Sequence, residues 1–404
     1  MIVNIVGGGA SGIIAAINAA KNGHEVNIFE KMKNIGKKIL ATGNGKCNYT
    51  NKKMDETFFY CKNKELIKNS LQIFDDKSTI SFFKSIGVYP REIDGRIYPI
   101  TENSLSIVKS LENELNRLNI KIYTKTKIFK IDILKNKFIL NDKYESDILI
   151  IAAGGKSYPA LGSDGSINSE LIKLGHTFKT QRPALVQLIS NDYFLPQLKG
   201  VRVKGNASLF DHKNIKIIEK NGEILFTDYG LSGIPSMQIS RFIKPEKNYI
   251  IKIDLAQNID KDEINNYLIN QTRLNPNLKI SDSLMGIIHF KLINIILQIN
   301  NIHNIPLNQL KRSDRNKIIN SIKNFNININ GTKGWKESQV TTGGINLNEI
   351  NEINFESKKI KNLYICGEIL DIDGDCGGYN LQWAWTSGYI VGNNIMRRDK
   401  NDTN

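Results

Sequence analysis

The chain has 404 residues, 40% hydrophobic and 24% charged, which excludes a disordered or fibrous protein and leads us to expect two or three domains. Its net charge of +15 is scattered as single lysines ("KMKNIGKKIL", "KNKELIKNS", "KPEKNYIIKI") rather than gathered into a basic arm, so no specific nucleic-acid partner is expected. No apolar run approaches the roughly 18 residues of a membrane span, and no leader-like stretch precedes the first strand, so the expected compartment is the cytoplasm.

In chain order, the first element group is "VNIVGGGASGIIAAINAAKNGHEVNIFEK". Residues 3–6 read as a buried parallel strand, Gly7, Gly9 and Gly12 satisfy G-x-G-x-x-G, and residues 13–21 continue as a helix of small residues. Asn22-Gly23 ends that helix, and "HEVNIFE" is a second strand closing on Glu30. Gly7 allows the tight turn, Gly9 lets a pyrophosphate approach, and Gly12 lets helix and strand pack closely. Glu30 suits a ribose 2′-hydroxyl and would repel a 2′-phosphate, which points to FAD or NAD rather than NADP.

Next comes "KKILATGNGKCNYTN", residues 37–51, expected as a loop that wraps a pyrophosphate or a flavin edge. Lys38 and Lys46 supply charge there, and Asn44 and Asn48 supply amide donors. "IKIYTKTKIFKIDILKNKFILNDKYE" reads as a β-hairpin-like stretch, followed by a strand over 148–152 that ends in Gly154-Gly155. No later segment holds a second complete dinucleotide motif, so one site is expected. Successive short strands with glycine turns then give way, from about residue 260 to 325, to helical patterning.

The chain finishes with "KNLYICGEILDIDGDCGGYNLQWAWTSGYIVGNNI". This reads as a strand over 363–366, an acid-bearing turn with Glu368 and Asp371, and a helix over 379–395 opened by Gly377 and Gly378. The N–H groups of that helix start suit a group that gains negative charge. An NAD dehydrogenase has little use for this second half, so the expected cofactor is FAD, held by both ends of the chain. The four cysteines, Cys47, Cys61, Cys366 and Cys376, form no CxxC pair or His/Cys metal spacing. They are expected as free thiols, with no metal site and no disulfide shuttle.

These motifs, together with "DGRIYPI", "RPALVQL", "GEILFTDYGLSGIPSMQIS" and "VTTGGINLNEI", resemble the BaiN-like flavoproteins, a family of NAD(P)/FAD-dependent oxidoreductases, along nearly the whole chain. The resemblance implies an α/β fold: a glutathione-reductase-like FAD-binding domain with an inserted β-barrel-like part and a small helical part. Its boundaries are expected at 1–190 with 335–404, at 191–258 with about 326–334, and at 259–325. It also implies the cofactor contacts. Gly7, Gly9, Ala10, Ser11, Gly12, Glu30 and Lys31 fall at the ADP part, and Lys38, Asn44, Lys46, Cys47 and Asn48 at the middle. Ile128, Ala153, Gly154 and Gly155 fall near the adenosine or ribityl, and Gly367, Glu368, Asp371, Gly378, Tyr379, Asn380 and Leu381 towards the ring. Lys46 stands where the family usually has arginine, and Asp228-Tyr229-Gly230 replaces a His-Thr-Gly-like step. The expected reaction is hydride transfer at flavin N5 on a small organic substrate, with NAD(P)H or O2 as second partner and no catalytic acid or base assigned. An FAD-dependent RNA-modifying enzyme and a non-catalytic flavin-binding or redox-sensing protein remain alternatives.

Overall fold

The computed structural model describes residues 1–395; residues 396–404 of the expected FAD-binding domain lie outside them. The chain divides into two compact units, Met1–Arg182 with Gln339–Asn404, and Pro183–Ser338.

The first unit is built on five parallel strands: β1 (Ile2–Val6), β2 (Glu25–Phe29), β3 (Lys121–Tyr123), β4 (Ile148–Ile151) and β5 (Leu363–Ile365), in the order β5-β4-β1-β2-β3. Val3 lies opposite both Val26 and Ile148, and Ile150 lies opposite Tyr364. All four residues of β4 are buried, as a central parallel strand covered on both faces requires. The α-helices α1 (Ala10–Lys21), α2 (Lys37–Ala41) and α3 (Tyr379–Asn394) bring the two chain ends together. A Cβ on Gly388 would lie 2.4 Å from the Ser11 carbonyl oxygen, and one on Gly392 2.4 Å from that of Ala15. The backbones of α1 and α3 therefore touch, which their small residues permit.

Two local expectations change. Residues 37–41 form α2 rather than a loop, because Ile39 is buried in the core. Residues 121–123 do not begin a hairpin: they add β3 in parallel to β2, with Tyr123 stacked on Phe29 at 5.0 Å. The hairpin proper joins Ile131–Leu134 to Lys137–Leu140 and is extended by Tyr144–Ser146.

The second unit has its own core. A seven-stranded sheet has Phe325–Ile329 at one end of its strand order and Gly331–Thr332 at the other. Only Asn330 separates those two strands in sequence, so the sheet must curl round on itself. Its longest members, Arg202–Asp211 and Lys216–Thr227, pair as an antiparallel hairpin. The helices Lys261–Leu274, Phe290–Ile299 and Arg312–Lys323 follow, their apolar faces buried in the same core. No helix among the described residues is long and apolar enough to cross a membrane.

Candidate cofactor and active site

The β1–α1 turn is held by contacts that admit no side chain. A Cβ on Gly7 would lie 2.4 Å from the Ala152 oxygen, and one on Gly12 2.0 Å from the Gly7 oxygen. At Gly9 a Cβ would meet no atom within 4 Å, so the space in front of α1 is open. No side chain caps the start of α1 at Gly9, which leaves the N–H groups around Ala10 and Ser11 facing that space. Glu30 is aimed at the same turn: Oε2 accepts from the Gly8 N–H at 2.9 Å and Oε1 from the Met32 N–H at 2.7 Å. Lys31 pairs with Asp164 at 2.5 Å. Burial pushes the Asp164 carboxyl up, but hydrogen bonds from Lys31 and Ser166 outweigh it and hold the group at about 2. Ile128 is buried between β3 and the hairpin.

In the 42–48 segment the expected residues separate. Asn44 and Lys46 are exposed, and Lys46 is engaged by Glu102 at 2.5 Å. Cys47 and Asn48 are buried. The Cys47 thiol is pushed up to about 12 by burial, against a hydrogen bond with Thr42, so it stays protonated. Asn48 Oδ1 is buried without a partner.

The ring-end residues converge on one network. Glu368 Oε1 accepts from the Thr341 N–H at 2.8 Å and from Ser157 Oγ at 3.0 Å, while Oε2 accepts from Lys38 Nζ at 2.6 Å. Thr341 Oγ1 in turn accepts from the Lys156 N–H at 2.8 Å. Gly155 lies against it, since a Cβ there would stand 2.3 Å from Thr341 Oγ1. Three segments distant from one another in sequence are thereby tied to one carboxylate. Ser157 and Thr341 receive no role from the sequence alone, although Thr341 lies in the "VTTGG" run, because a lone hydroxyl carries no signal of its partner. Gly154 faces Ser163 Oγ, a buried hydroxyl without a partner, and the partly buried Ala153 precedes it.

Gly367 sits at φ +82°, where a Cβ would lie 2.3 Å from Ser11 Oγ, so the β5 turn touches the start of α1. Asp371 is ion-paired with Lys179. Gly378 opens α3 at φ +96° with no side-chain cap. Tyr379 stacks on Phe58 at 4.5 Å, and burial raises its hydroxyl pKa. Asn380 pins the preceding turn, accepting from the Gly374 N–H at 2.8 Å and donating to the Gly374 oxygen at 2.9 Å. Leu381 is half-buried at the edge of the core.

A dinucleotide with a flavin ring fits this arrangement. The starts of α1 and α3 carry no side-chain cap and lie in one unit, an open space fronts Gly9, and Asn48 Oδ1 and Ser163 Oγ are buried without partners. None of the four cysteines is in a disulfide, and burial pushes the Cys366 thiol up to about 12. No cluster of three or more His, Cys, Asp or Glu side chains suited to a metal occurs among the described residues.

Comparison with known proteins agrees with that geometry. The family described as HI0933-like protein Rossmann domain matches residues 1–394. A 3-dehydro-bile acid delta(4,6)-reductase from Clostridium scindens is 36% identical over 98% of this chain and 99% of its own. A ribosomal RNA dihydrouridine synthase from Haemophilus influenzae is 28% identical over 98% of each chain. The solved 3-ketosteroid-delta4-(5alpha)-dehydrogenase from Rhodococcus jostii RHA1 aligns with 97% of this chain and 95% of its own. Its TM-score of 0.50 at 13% identity speaks for the fold alone. The chain therefore belongs to the HI0933-like Rossmann family, among the FAD-binding oxidoreductases of BaiN-like type whose motifs it carries.

Proposed function

We propose that this oxidoreductase reduces an activated carbon–carbon double bond in a small organic substrate, with NAD(P)H as the electron source. The observation that carries the reading is the pairing of two uncapped helix starts, α1 and α3, in one unit. FAD, when bound, supplies the two-electron chemistry. Gly7, Gly9, Ala10, Ser11 and Gly12 would hold its pyrophosphate on the N–H groups of α1. Glu30, already oriented by Gly8 and Met32, would take ribose hydroxyls, with Ile128 and Ala153 to Gly155 beside the adenosine. Glu368 fixes Lys38 next to the middle of the site. The first N–H groups of α3, from Gly378 to Leu381, would face the ring edge that gains negative charge. The reductive direction is favoured by the Clostridium scindens relative, whose name is that of a reductase.

Anaerobic spectroscopy tests this directly. NADH or NADPH should bleach the visible flavin band, and an α,β-unsaturated ketone should restore it without oxygen. Bleaching only by an amine donor, with recovery only in air, would make the enzyme an oxidase. No flavin absorbance after reconstitution with FAD would end the flavin reading.

A second reading is reduction of uridine in ribosomal RNA, favoured by the Haemophilus influenzae relative and the net charge of +15. Dihydrouridine found by mass spectrometry in ribosomal RNA incubated with enzyme and nicotinamide would support it. Its absence, with a small enone turned over, would exclude it.

A further inference from the structure

Beside the turn that carries Glu368, the cofactor-binding unit has an open pocket of about 420 Å3 that the roles above do not use. Its walls include Phe178, Lys179, Arg182, Thr342 and Asp371. The positions are fixed by backbone contact: a Cβ on Gly343, at φ +84°, would lie 2.3 Å from the Thr180 oxygen. The segment bearing Lys179 and Arg182 is thus pressed against the one bearing Thr342. Thr341, one residue earlier, donates its N–H to Glu368, so the pocket borders the ring end of the site.

Its charges do not balance. Lys179 Nζ is paired with Asp371, which leaves the Arg182 guanidinium as one positive charge in excess. Arg182 Nε is buried with no hydrogen-bond partner, and no carboxylate among the described residues pairs with this side chain. A guanidinium stays charged, and a buried N–H left unpaired is costly. Both point to an anionic group that belongs there.

We propose that this pocket seats a carboxylate of the substrate, with Arg182 as its anchor and Lys179 as the second cation. The proposal rests on the oxidoreductase reading above and names the substrate class: an organic acid. One negative charge matches the single excess positive charge. The two terminal nitrogens of a guanidinium offer parallel donors, which match the two oxygens of a planar carboxylate. A phosphate dianion would leave a surplus negative charge beside Asp371. Phe178 provides an apolar wall for the carbon skeleton.

Calorimetric titration of the flavin-loaded protein with benzoate, its neutral isostere benzamide and inorganic phosphate tests the proposal. Benzoate should bind at least about ten-fold more tightly than benzamide. Arg182→Met should abolish benzoate binding, and Arg182→Lys, which keeps the charge but loses the fork, should weaken it about ten-fold. Flavin content, read from visible absorbance, should be the same in all three proteins. Equal binding of benzamide, preference for phosphate, no benzoate binding, or unchanged binding in Arg182→Met would each overturn it. So would loss of flavin from both variants, because Arg182 would then serve the cofactor. Benzoate binding to protein that never takes up flavin would instead defeat the oxidoreductase reading and leave the anion pocket standing.

Discussion

Gly155 shows how a single hydrogen atom in place of a methyl group sets the site. It is buried, and a Cβ would stand 2.3 Å from Thr341 Oγ1 and 2.6 Å from Thr341 Cβ. Gly155→Ala must therefore displace Thr341, whose N–H and hydroxyl hold Glu368 and Ser157. A loss of about 1–3 kcal/mol is expected from such overpacking, with less flavin retained per protein; the urea midpoint and the flavin-to-protein ratio check both. A second residue-scale device lies away from the cofactor. His176 is buried, with Nδ1 3.0 Å from Glu349 Oε2 and Nε2 3.0 Å from Ser357 Oγ. The order Ser–His–Glu is that of a nucleophilic triad. Ser357, however, is buried and accepts the N–H groups of Lys359 and Ile360, each at 3.1 Å, so its hydroxyl caps a turn. Burial lowers the imidazole's pKa below its ordinary 6.5 despite the pull of Glu349. Between the folded and unfolded values the unfolded chain binds more protons, so stability falls as pH falls through that window. Glu349 adds a second loss at lower pH: burial raises its carboxyl, but Lys359, Thr177 and His176 outweigh this and hold it at about 2. From about pH 7 to about pH 5 the wild type should lose more stability than His176→Gln, measured by urea unfolding.

At the scale of elements, the contact between α1 and α3 decides whether the two chain ends can share a ligand. It is made by backbone, which cannot rotate away from an added methyl group. Gly388→Ala would place a Cβ 2.4 Å from the Ser11 oxygen, and Gly392→Ala one 2.4 Å from the Ala15 oxygen. Each should cost about 1–3 kcal/mol. Gly388→Ala, which pushes directly on the turn that fronts Gly9, should also weaken FAD binding more than Gly392→Ala; fluorescence titration of the apoprotein separates the two. The two glycines stand four apart in "GYIVG", on one helix face, but that spacing does not say which helix they meet. The strands β1, β2, β4 and β5 are legible: β4 and β5 are unbroken apolar runs, and β1 and β2 are interrupted only by Asn4 and by Glu25 and Asn27. β3 is not, because an edge strand of three residues beside a hairpin looks like part of it. The same limit governs the site. Glycines and acids at a strand end carry their own motif, whereas Lys179, Arg182, Ser157 and Thr341 acquire meaning only when the fold joins segments far apart. Lys46 shows the converse: its charge among glycines draws the eye, yet Glu102 holds it at an exposed position.

For the whole molecule, the division into two units has a physical basis in two separate cores. One draws on residues from Val3 to Leu171 and from Ile345 to Ile395, the other on residues from Leu188 to Ile329. The sheet β1 to β5, the start of α1 and the start of α3 all belong to the first. That unit also brings its own chain ends together, since the contact of Thr180 with Gly343 places the exit and the re-entry of the chain side by side. Replacing Pro183–Ser338 by a short Gly-Ser bridge between Arg182 and Gln339 should therefore give a protein that folds and takes up FAD. FAD at a hundred-fold excess over its Kd should raise its stability by about 2.7 kcal/mol. Cooperative melting that moves upward with added FAD would bear this out. A product that is unfolded at every FAD concentration would mean that the second core is required for the first to form.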